Sequence, residues 1–131
     1  MKSIYLLLAF LGLVLSSCQS QAVTGSVDAI TFSTKINTTK NPVVLDVRTP
    51  EEYAGGYIDN AINIDFYKPS FKEDIKKLDK DKTYFVYCQA GGRSKSAFEI
   101  MKKEGFAKVY ELNGGVSEWQ SSNLPLTVKR E

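Results

Sequence analysis

Short apolar runs alternate with helix-forming segments along most of the chain, and this alternation restricts the fold more than any other feature. The runs NPVVLDV (41–47) and KTYFVYC (82–88) are rich in β-branched and aromatic residues, as buried strands are. Each run precedes a segment with helix signals. Strands that alternate with helices at short spacing predict an α/β fold. We expect a central parallel sheet of about five short strands with helices on both faces.

Two helix starts are marked by local patterns. Thr49 is followed by Pro50 and, three residues on, by Glu52, which together predict a capping box with proline in the first turn. Ser70 and Glu73 repeat the S-x-x-E spacing and predict a second capping box. We also expect a strand or turn and a short helix in 27–36, a strand near 61–64 and a helix in 94–106. A strand followed by a turn is expected in 107–115, and a short closing helix with a tail in 116–126.

The first residues carry an export pattern. Lys2, an uncharged apolar run and small residues before Cys18 predict a signal peptide over residues 1–17. The run is shorter than the about 20 residues of a membrane span. LSSC (15–18) resembles a bacterial lipobox, in which the cysteine is lipidated; an ordinary signal peptide with an incidental cysteine is the alternative. Residues 18–26 are then the lipidated cysteine and a flexible tether, and 27–131 are one domain.

The residue after the cysteine favours one membrane. In Gram-negative lipoproteins an aspartate at this position tends to cause retention in the inner membrane. Gln19 is not acidic. We therefore expect a lipid-anchored protein of the bacterial cell envelope that faces the periplasm, with the outer membrane favoured.

The composition excludes several kinds of site. With 17 basic and 15 acidic residues, the chain lacks the concentrated positive charge of a nucleic-acid-binding protein. It contains no histidine, which excludes Cys–His and Ser–His catalysis. With two cysteines, of which Cys18 is the expected lipidation site, no metal site and no cofactor are predicted. Cys88 is then left without a partner for an internal disulfide.

The segment FVYCQAGGRSKSAFEIM (85–101) carries the chemistry. Cys88 ends a predicted strand, and ligands bind at such carboxyl ends in parallel α/β sheets. Gly91 and Gly92 let the backbone turn several N–H groups toward one point, and the helix that follows adds its positive end. These groups can stabilise a thiolate without histidine. The alternative is a buried, inert cysteine at a strand end.

Three blocks of the chain resemble, in order, the single-domain rhodaneses. They are LDVRTPEEYAGGYIDNAINI (45–64), YCQAGGRS (87–94) and VYELNGGVSEWQSSNLPL (109–126). The resemblance covers roughly residues 27–128. It implies a rhodanese-like fold and a sulfurtransferase that moves sulfane sulfur from thiosulfate or a persulfide donor to a thiophilic acceptor.

The resemblance also implies residue roles. Cys88 would carry the sulfur as a persulfide, and Arg93 would help to hold an anionic donor. The residues that would form the cradle around the sulfur are Gln89, Ala90, Gly91, Gly92, Arg93 and Ser94. With no second cysteine to resolve the persulfide, the acceptor would be an external thiol of a small molecule or a protein.

The resemblance assigns a supporting role to the D-x-R pair that precedes the first helix. Asp46 would hold loop backbone, and Arg48 would pair with Glu51 or Glu52. Tyr57 stands where the family often has a histidine, at a position that is usually structural.

Two other functions stay open on the residues alone. One is a non-catalytic binding module with the same fold. The other is a phosphatase or arsenate reductase of the Cys-Arg loop type. Such loops carry five residues between the cysteine and the arginine, whereas four separate Cys88 from Arg93.

Overall fold

The computed structural model describes residues 24–130, so the predicted signal peptide and Cys18 lie outside the described residues. Within them, strands in the order β1-β5-β4-β2-β3 form one parallel sheet. The elements are β1 (Thr24–Val27), α1 (Ala29–Thr38), β2 (Val43–Asp46), α2 (Pro50–Ala54), β3 (Ile62–Asn63), α3 (Phe71–Lys76), β4 (Tyr84–Tyr87), α4 (Gly92–Lys103), β5 (Val109–Leu112) and α5 (Gly115–Ser121). The predicted α/β fold with a five-stranded parallel sheet is confirmed.

The central strands are covered on both faces, as predicted. Side chains alternate along a strand, so successive residues of β4 enter different cores. Phe85 and Tyr87 pack in the core that contains Phe32 of α1 and Trp119 of α5. The next residue, Cys88, lies in the opposite core, which the helices α3 and α4 cover. Because of this alternation, the Cys88 side chain points toward the face of the sheet that α4 covers.

The first strand begins inside a segment that the sequence suggested as a tether. Thr24, Gly25 and Ser26 belong to β1 and pair in parallel with Val109, Tyr110 and Glu111 of β5. This edge strand thus brings Ser26 beside β5, close to the part of the sheet that carries the site.

None of the helices formed by residues 24–130 has the length and apolar character of a membrane span.

One of the two predicted capping boxes is present. The Thr49 hydroxyl accepts the Glu52 N–H, and the Glu52 carboxylate accepts the Thr49 N–H at 2.9 Å. The prediction for Ser70 is wrong. Its φ and ψ of −82° and 1° lie outside the extended region that an N-cap usually takes, and its hydroxyl donates to Asp74 instead. A shared spacing, with serine or threonine three residues before glutamate, therefore gave a capping box at only one of the two helices.

A close backbone contact fixes the loop after β4. The N–H groups of Val116 and Ser117, in the first turn of α5, donate to the carbonyls of Cys88 and Gln89 at 2.9 and 3.1 Å. A side chain at Gly115 would collide with the Cys88 carbonyl oxygen, and its φ of +60° also favours glycine. The first turn of α5 is therefore attached to the start of the loop by two backbone hydrogen bonds.

Candidate active site

The loop between β4 and α4 bends around the sulfur of Cys88. Gly91, with a φ of +104°, reverses the chain just before α4 begins. Its N–H donates to Cys88 Sγ at 3.0 Å, and Ser94 Oγ lies 3.4 Å from the same sulfur. The backbone conformation that the two glycines predicted is therefore present, and it directs N–H groups at the thiol.

The surroundings of Cys88 favour its thiolate form. Burial, which leaves 1% of the residue exposed, raises its pKa. Hydrogen bonds in the loop, among them those from the N–H groups of Ser94, Gly91 and Ala90, lower the pKa by more, so it lies below its ordinary value. Neutral groups, most of them in the backbone, therefore activate the thiol in a chain that contains no histidine.

Arg93 does not project freely into the site but pairs with Glu52. Its Nη1 and Nη2 donate to the two carboxylate oxygens at 2.7 and 2.9 Å. The guanidinium also lies 5.4 Å from the centre of the Tyr67 ring. Because Glu52 also caps α2, this pair joins the start of α2 to the Cys88 loop. The sequence marked Glu52 as a capping residue and as a possible partner of Arg48, and nothing local indicated its actual partner 41 positions away.

The Glu52–Arg93 pair should make the stability of the fold depend on pH in the acid range. Hydrogen bonding to Arg93 is the largest cause that lowers the pKa of Glu52, from 4.5 to about 2. A lowered native pKa stabilises the fold fully above the unfolded value near 4.5, and this stabilisation is lost as the pH falls toward 2. Glu52→Gln should therefore make unfolding less pH-dependent between pH 4.5 and 2. Because both side chains are partly exposed, we expect a difference of about 1 kcal/mol or less.

Thermal unfolding of the parent chain and Glu52→Gln across that window measures this effect. Glu51→Gln is the matched control, since Glu51 is exposed and adjacent in sequence. Equal pH dependence of the parent and Glu52→Gln would contradict the prediction.

Asp46 and Arg48 form a buried pair beside the loop. The residues are 0% and 3% exposed, and Arg48 Nη2 lies 2.7 Å from Asp46 Oδ2. Arg48 also donates to the Gly56 carbonyl at 2.6 Å and to Gln89 Oε1 at 3.3 Å. It therefore links the ends of β2 and α2 to the second residue of the loop.

The predicted partners of Arg48 are thus wrong. Its guanidinium pairs with Asp46 rather than with Glu51 or Glu52, because Arg93 already occupies the Glu52 carboxylate. The backbone that Asp46 holds is the N–H of Arg48, at 2.9 Å, and not that of the Cys88 loop. Asp46 reaches the loop only through Arg48, so both residues support the site from outside it.

A buried acidic residue near the sulfur was not predicted from the sequence. Glu111 of β5 is 1% exposed and accepts the Ser94 hydroxyl at 2.7 Å. Ser26 of β1 donates to its other oxygen at 2.6 Å. The only sequence signal was its position: Glu111 follows Val109 by two residues, so both point to the face of the sheet that α4 covers.

The remaining predicted residues have backbone or structural positions. The Gln89 carbonyl accepts the Ser117 N–H, and Gly92 opens α4. Tyr57 stacks on Tyr53 with ring centres 4.4 Å apart and pairs with Thr127 through the backbone. Among residues 24–130, no cluster of three or more histidine, cysteine or acidic side chains is arranged to hold a metal.

Comparisons with known proteins agree on one family. The family model for the rhodanese-like domain matches residues 31–122. A sulfurtransferase of Allochromatium vinosum is 28% identical over 100 residues, which cover 76% of this chain and 92% of that protein. The thiosulfate sulfurtransferase GlpE of Pseudomonas entomophila is 36% identical, over 61% of this chain and 72% of its own length.

A solved structure supports the same relationship. The crystal structure of a rhodanese-related protein from Thermoplasma volcanium superposes with a TM-score of 0.70 at 33% identity. The match covers 79% of this chain and 98% of that one. It therefore includes nearly all of the related protein.

Proposed function

This chain belongs to the rhodanese-like domain family, and on that premise we propose that it is a sulfurtransferase with Cys88 as its sulfur carrier. The observation that carries the proposal is the position of Cys88 Sγ, which a loop of backbone N–H groups surrounds and whose pKa is lowered by them. The sulfurtransferase names of relatives from two bacteria support the reaction class.

The proposed reaction has two displacement steps. First, the Cys88 thiolate attacks the terminal sulfane sulfur of thiosulfate or of a persulfide. A new S–S bond forms, the donor S–S bond breaks, and sulfite or a thiolate leaves with the electron pair. Second, an external acceptor, such as cyanide or a thiolate, attacks the outer sulfur and restores the Cys88 thiolate. The reaction needs no metal and no redox cofactor, because in each displacement the nucleophile supplies the electron pair of the new bond and the leaving group keeps the pair of the broken S–S bond.

The surroundings of the sulfur favour sulfur chemistry over phosphate chemistry. With 1% of Cys88 exposed, the geometry favours a donor whose reactive atom is terminal, as the sulfane sulfur is. Four residues separate Cys88 from Arg93, one fewer than in the phosphatase loops. In addition, Glu52 holds both terminal nitrogens of Arg93, which a phosphate-binding arginine would need for its ligand.

Arg93 still contributes positive charge near the reacting sulfur. The hydrogen bond to Glu52 is the largest cause that raises the pKa of Arg93, and the charge of a Cys88 thiolate raises it further. We propose that Arg93 helps to hold an anionic donor from this paired position.

The acceptor is an external small-molecule or protein thiol, because Cys88 is the only cysteine among residues 24–130.

The test of the proposed function is sulfur loading followed by discharge. The reduced full chain is incubated with thiosulfate, its intact mass is recorded, and thiocyanate is assayed after cyanide is added. We expect a gain of one sulfur atom and formation of thiocyanate. A folded, reduced chain that gains no sulfur from thiosulfate or from a small-molecule persulfide would support the non-catalytic binding module instead.

We further propose that the chain is exported and anchored to the cell envelope by a lipid on Cys18, facing the periplasm. The support is the signal pattern of residues 1–17 and the lipobox-like LSSC (15–18). In a bacterial host, we expect the parent chain to fractionate with membranes and to carry a lipid-sized mass on its N-terminal peptide. Cys18→Ser should lose both properties, and a soluble parent chain without added mass would contradict the proposal.

A further inference from the structure

Glu111 is a buried carboxylic acid behind the Cys88 loop that the sulfur-transfer steps do not use. It lies in β5, on the face of the sheet that α4 covers, and is 1% exposed. Within residues 24–130, the ion pairs involve other acidic residues, and Glu111 is in none of them. A buried carboxylate without a cationic partner is unfavourable unless hydrogen bonds satisfy it. The hydrogen bonds that Glu111 accepts therefore decide whether a carboxylate can lie so close to the reactive sulfur.

Two hydroxyl groups satisfy this carboxylate. Ser94 donates to Oε1 at 2.7 Å and Ser26 donates to Oε2 at 2.6 Å. Hydroxyl–carboxylate hydrogen bonds of about 2.5–2.7 Å are typical of an ionised acceptor. The geometry thus fits a negatively charged Glu111 held by two neutral donors.

The Ser94 hydroxyl has one proton and three acceptors within reach. Glu111 Oε1 is at 2.7 Å, the Gly91 carbonyl oxygen at 3.2 Å and Cys88 Sγ at 3.4 Å. An ionised carboxylate is the nearest acceptor and forms the strongest hydrogen bond. While Glu111 holds this proton, Ser94 presents a lone pair to Cys88. It can then accept the S–H of the thiol but cannot donate to the thiolate.

Charge acts in the same direction as the hydrogen bond. A thiolate on Cys88 places a second negative charge close to Glu111 in a buried site, and like charges disfavour each other there. In a persulfide the charge moves to the outer sulfur, one bond farther along the side chain, and Sγ becomes neutral. Glu111 therefore penalises the empty thiolate more than the loaded form.

Other ionisable groups near Glu111 do not compensate its charge. Strand β1 has no acidic or basic residue, and in β4 the ionisable side chains are tyrosines. On α4, Arg93 is paired with Glu52. The other charged residues of α4 are exposed: Lys95, Glu99, Lys102 and Lys103.

We propose, resting on the sulfurtransferase function proposed above, that Glu111 is a positioning residue that acts through Ser94 and favours sulfur-loaded Cys88 over its empty thiolate. Glu111 touches neither Sγ nor a donor. It acts by retaining the Ser94 proton and by placing a fixed negative charge behind the thiol.

The first test measures how readily the Cys88 thiol ionises and does not require sulfur transfer. The rate at which iodoacetamide alkylates Cys88 is measured against pH, and the pH at half-maximal rate is the midpoint. The full chain carries Cys18→Ser, so that Cys88 is the thiol that reacts. We expect Glu111→Gln to move the midpoint about one unit lower, which makes alkylation about tenfold faster below the parent midpoint. Glu99→Gln, which removes an exposed charge from α4, should not move it. An unchanged or higher midpoint in folded Glu111→Gln would overturn the proposal.

A second variant separates the effect of the Ser94 proton from the effect of the negative charge on Glu111. Because Ser94 already donates to Glu111, Ser94→Ala alone should move the midpoint only slightly. Combined with Ser94→Ala, Glu111→Gln should produce a smaller shift than it does alone. Should Glu111→Gln fail to fold, Ser94→Ala decides the question: a rise of one unit or more would show that its proton serves the thiolate, against the proposal.

The loading equilibrium provides the functional readout. At a fixed ratio of thiosulfate to sulfite, intact mass gives the ratio of loaded to empty chain. We expect this ratio to fall several-fold in Glu111→Gln and to stay unchanged in Glu99→Gln. If no variant loads sulfur, the proposed function fails, whereas loading that is equal in the parent and Glu111→Gln overturns only the role of Glu111.

Discussion

Cys88→Ser should abolish sulfur loading and cyanide-dependent thiocyanate formation while leaving the fold intact. Serine differs from cysteine by one atom and can accept the Gly91 N–H that now reaches the sulfur at 3.0 Å. Its hydroxyl, however, is not ionised near neutral pH and is a weak nucleophile without an adjacent base. The chain has no histidine to act as that base, so we expect thiocyanate formation at the rate measured without protein.

The measurement compares intact mass and thiocyanate for the parent, Cys88→Ser and Cys18→Ser. Cys18→Ser is the matched control because it removes the other cysteine of the chain. It should load one sulfur atom as the parent does. Sulfur that remains on Cys88→Ser after washing would show that another group carries it, and the carrier role of Cys88 would be withdrawn.

The sequence predicted the features that depend on local pattern. The alternation of strand and helix segments predicted the parallel sheet, and the position of Cys88 after a strand predicted its place at the carboxyl edge. The T-P-x-E pattern at Thr49 predicted a capping box that is present. Each of these inferences used residues close together in the chain, where spacing fixes geometry.

The partners of the buried and partly buried polar side chains were not predictable in the same way. Arg93 reaches Glu52 across 41 positions, and Ser94 reaches Glu111 across 17. Which carboxylate meets which donor depends on strand order, since β5 and β2 lie on either side of β4. The local expectation that Arg48 pairs with a nearby glutamate failed for this reason. Once Arg93 occupies Glu52, the arginine folds back on Asp46.

Arg48→Met should be the most destabilising of the variants considered, by about 3–5 kcal/mol, because it leaves a buried carboxylate without its cation. Asp46 is fully buried and accepts three side-chain hydrogen bonds from Arg48. Methionine has a similar length and keeps the apolar contact with the Tyr87 ring, over which the guanidinium lies at 5.6 Å. The loss therefore reports charge and hydrogen bonding more than volume.

Urea unfolding of the parent and Arg48→Met measures this loss as a difference in the free energy of unfolding. Lys76→Met is the matched control, since it breaks an ion pair with Glu73 whose side chains are 46% and 68% exposed. We expect that change to be under about 1 kcal/mol. The double variant Asp46→Asn with Arg48→Met should recover part of the loss, because it removes the uncompensated charge. If Arg48→Met lowers the free energy of unfolding no more than Lys76→Met does, the buried Asp46–Arg48 pair does not stabilise the fold beside the Cys88 loop.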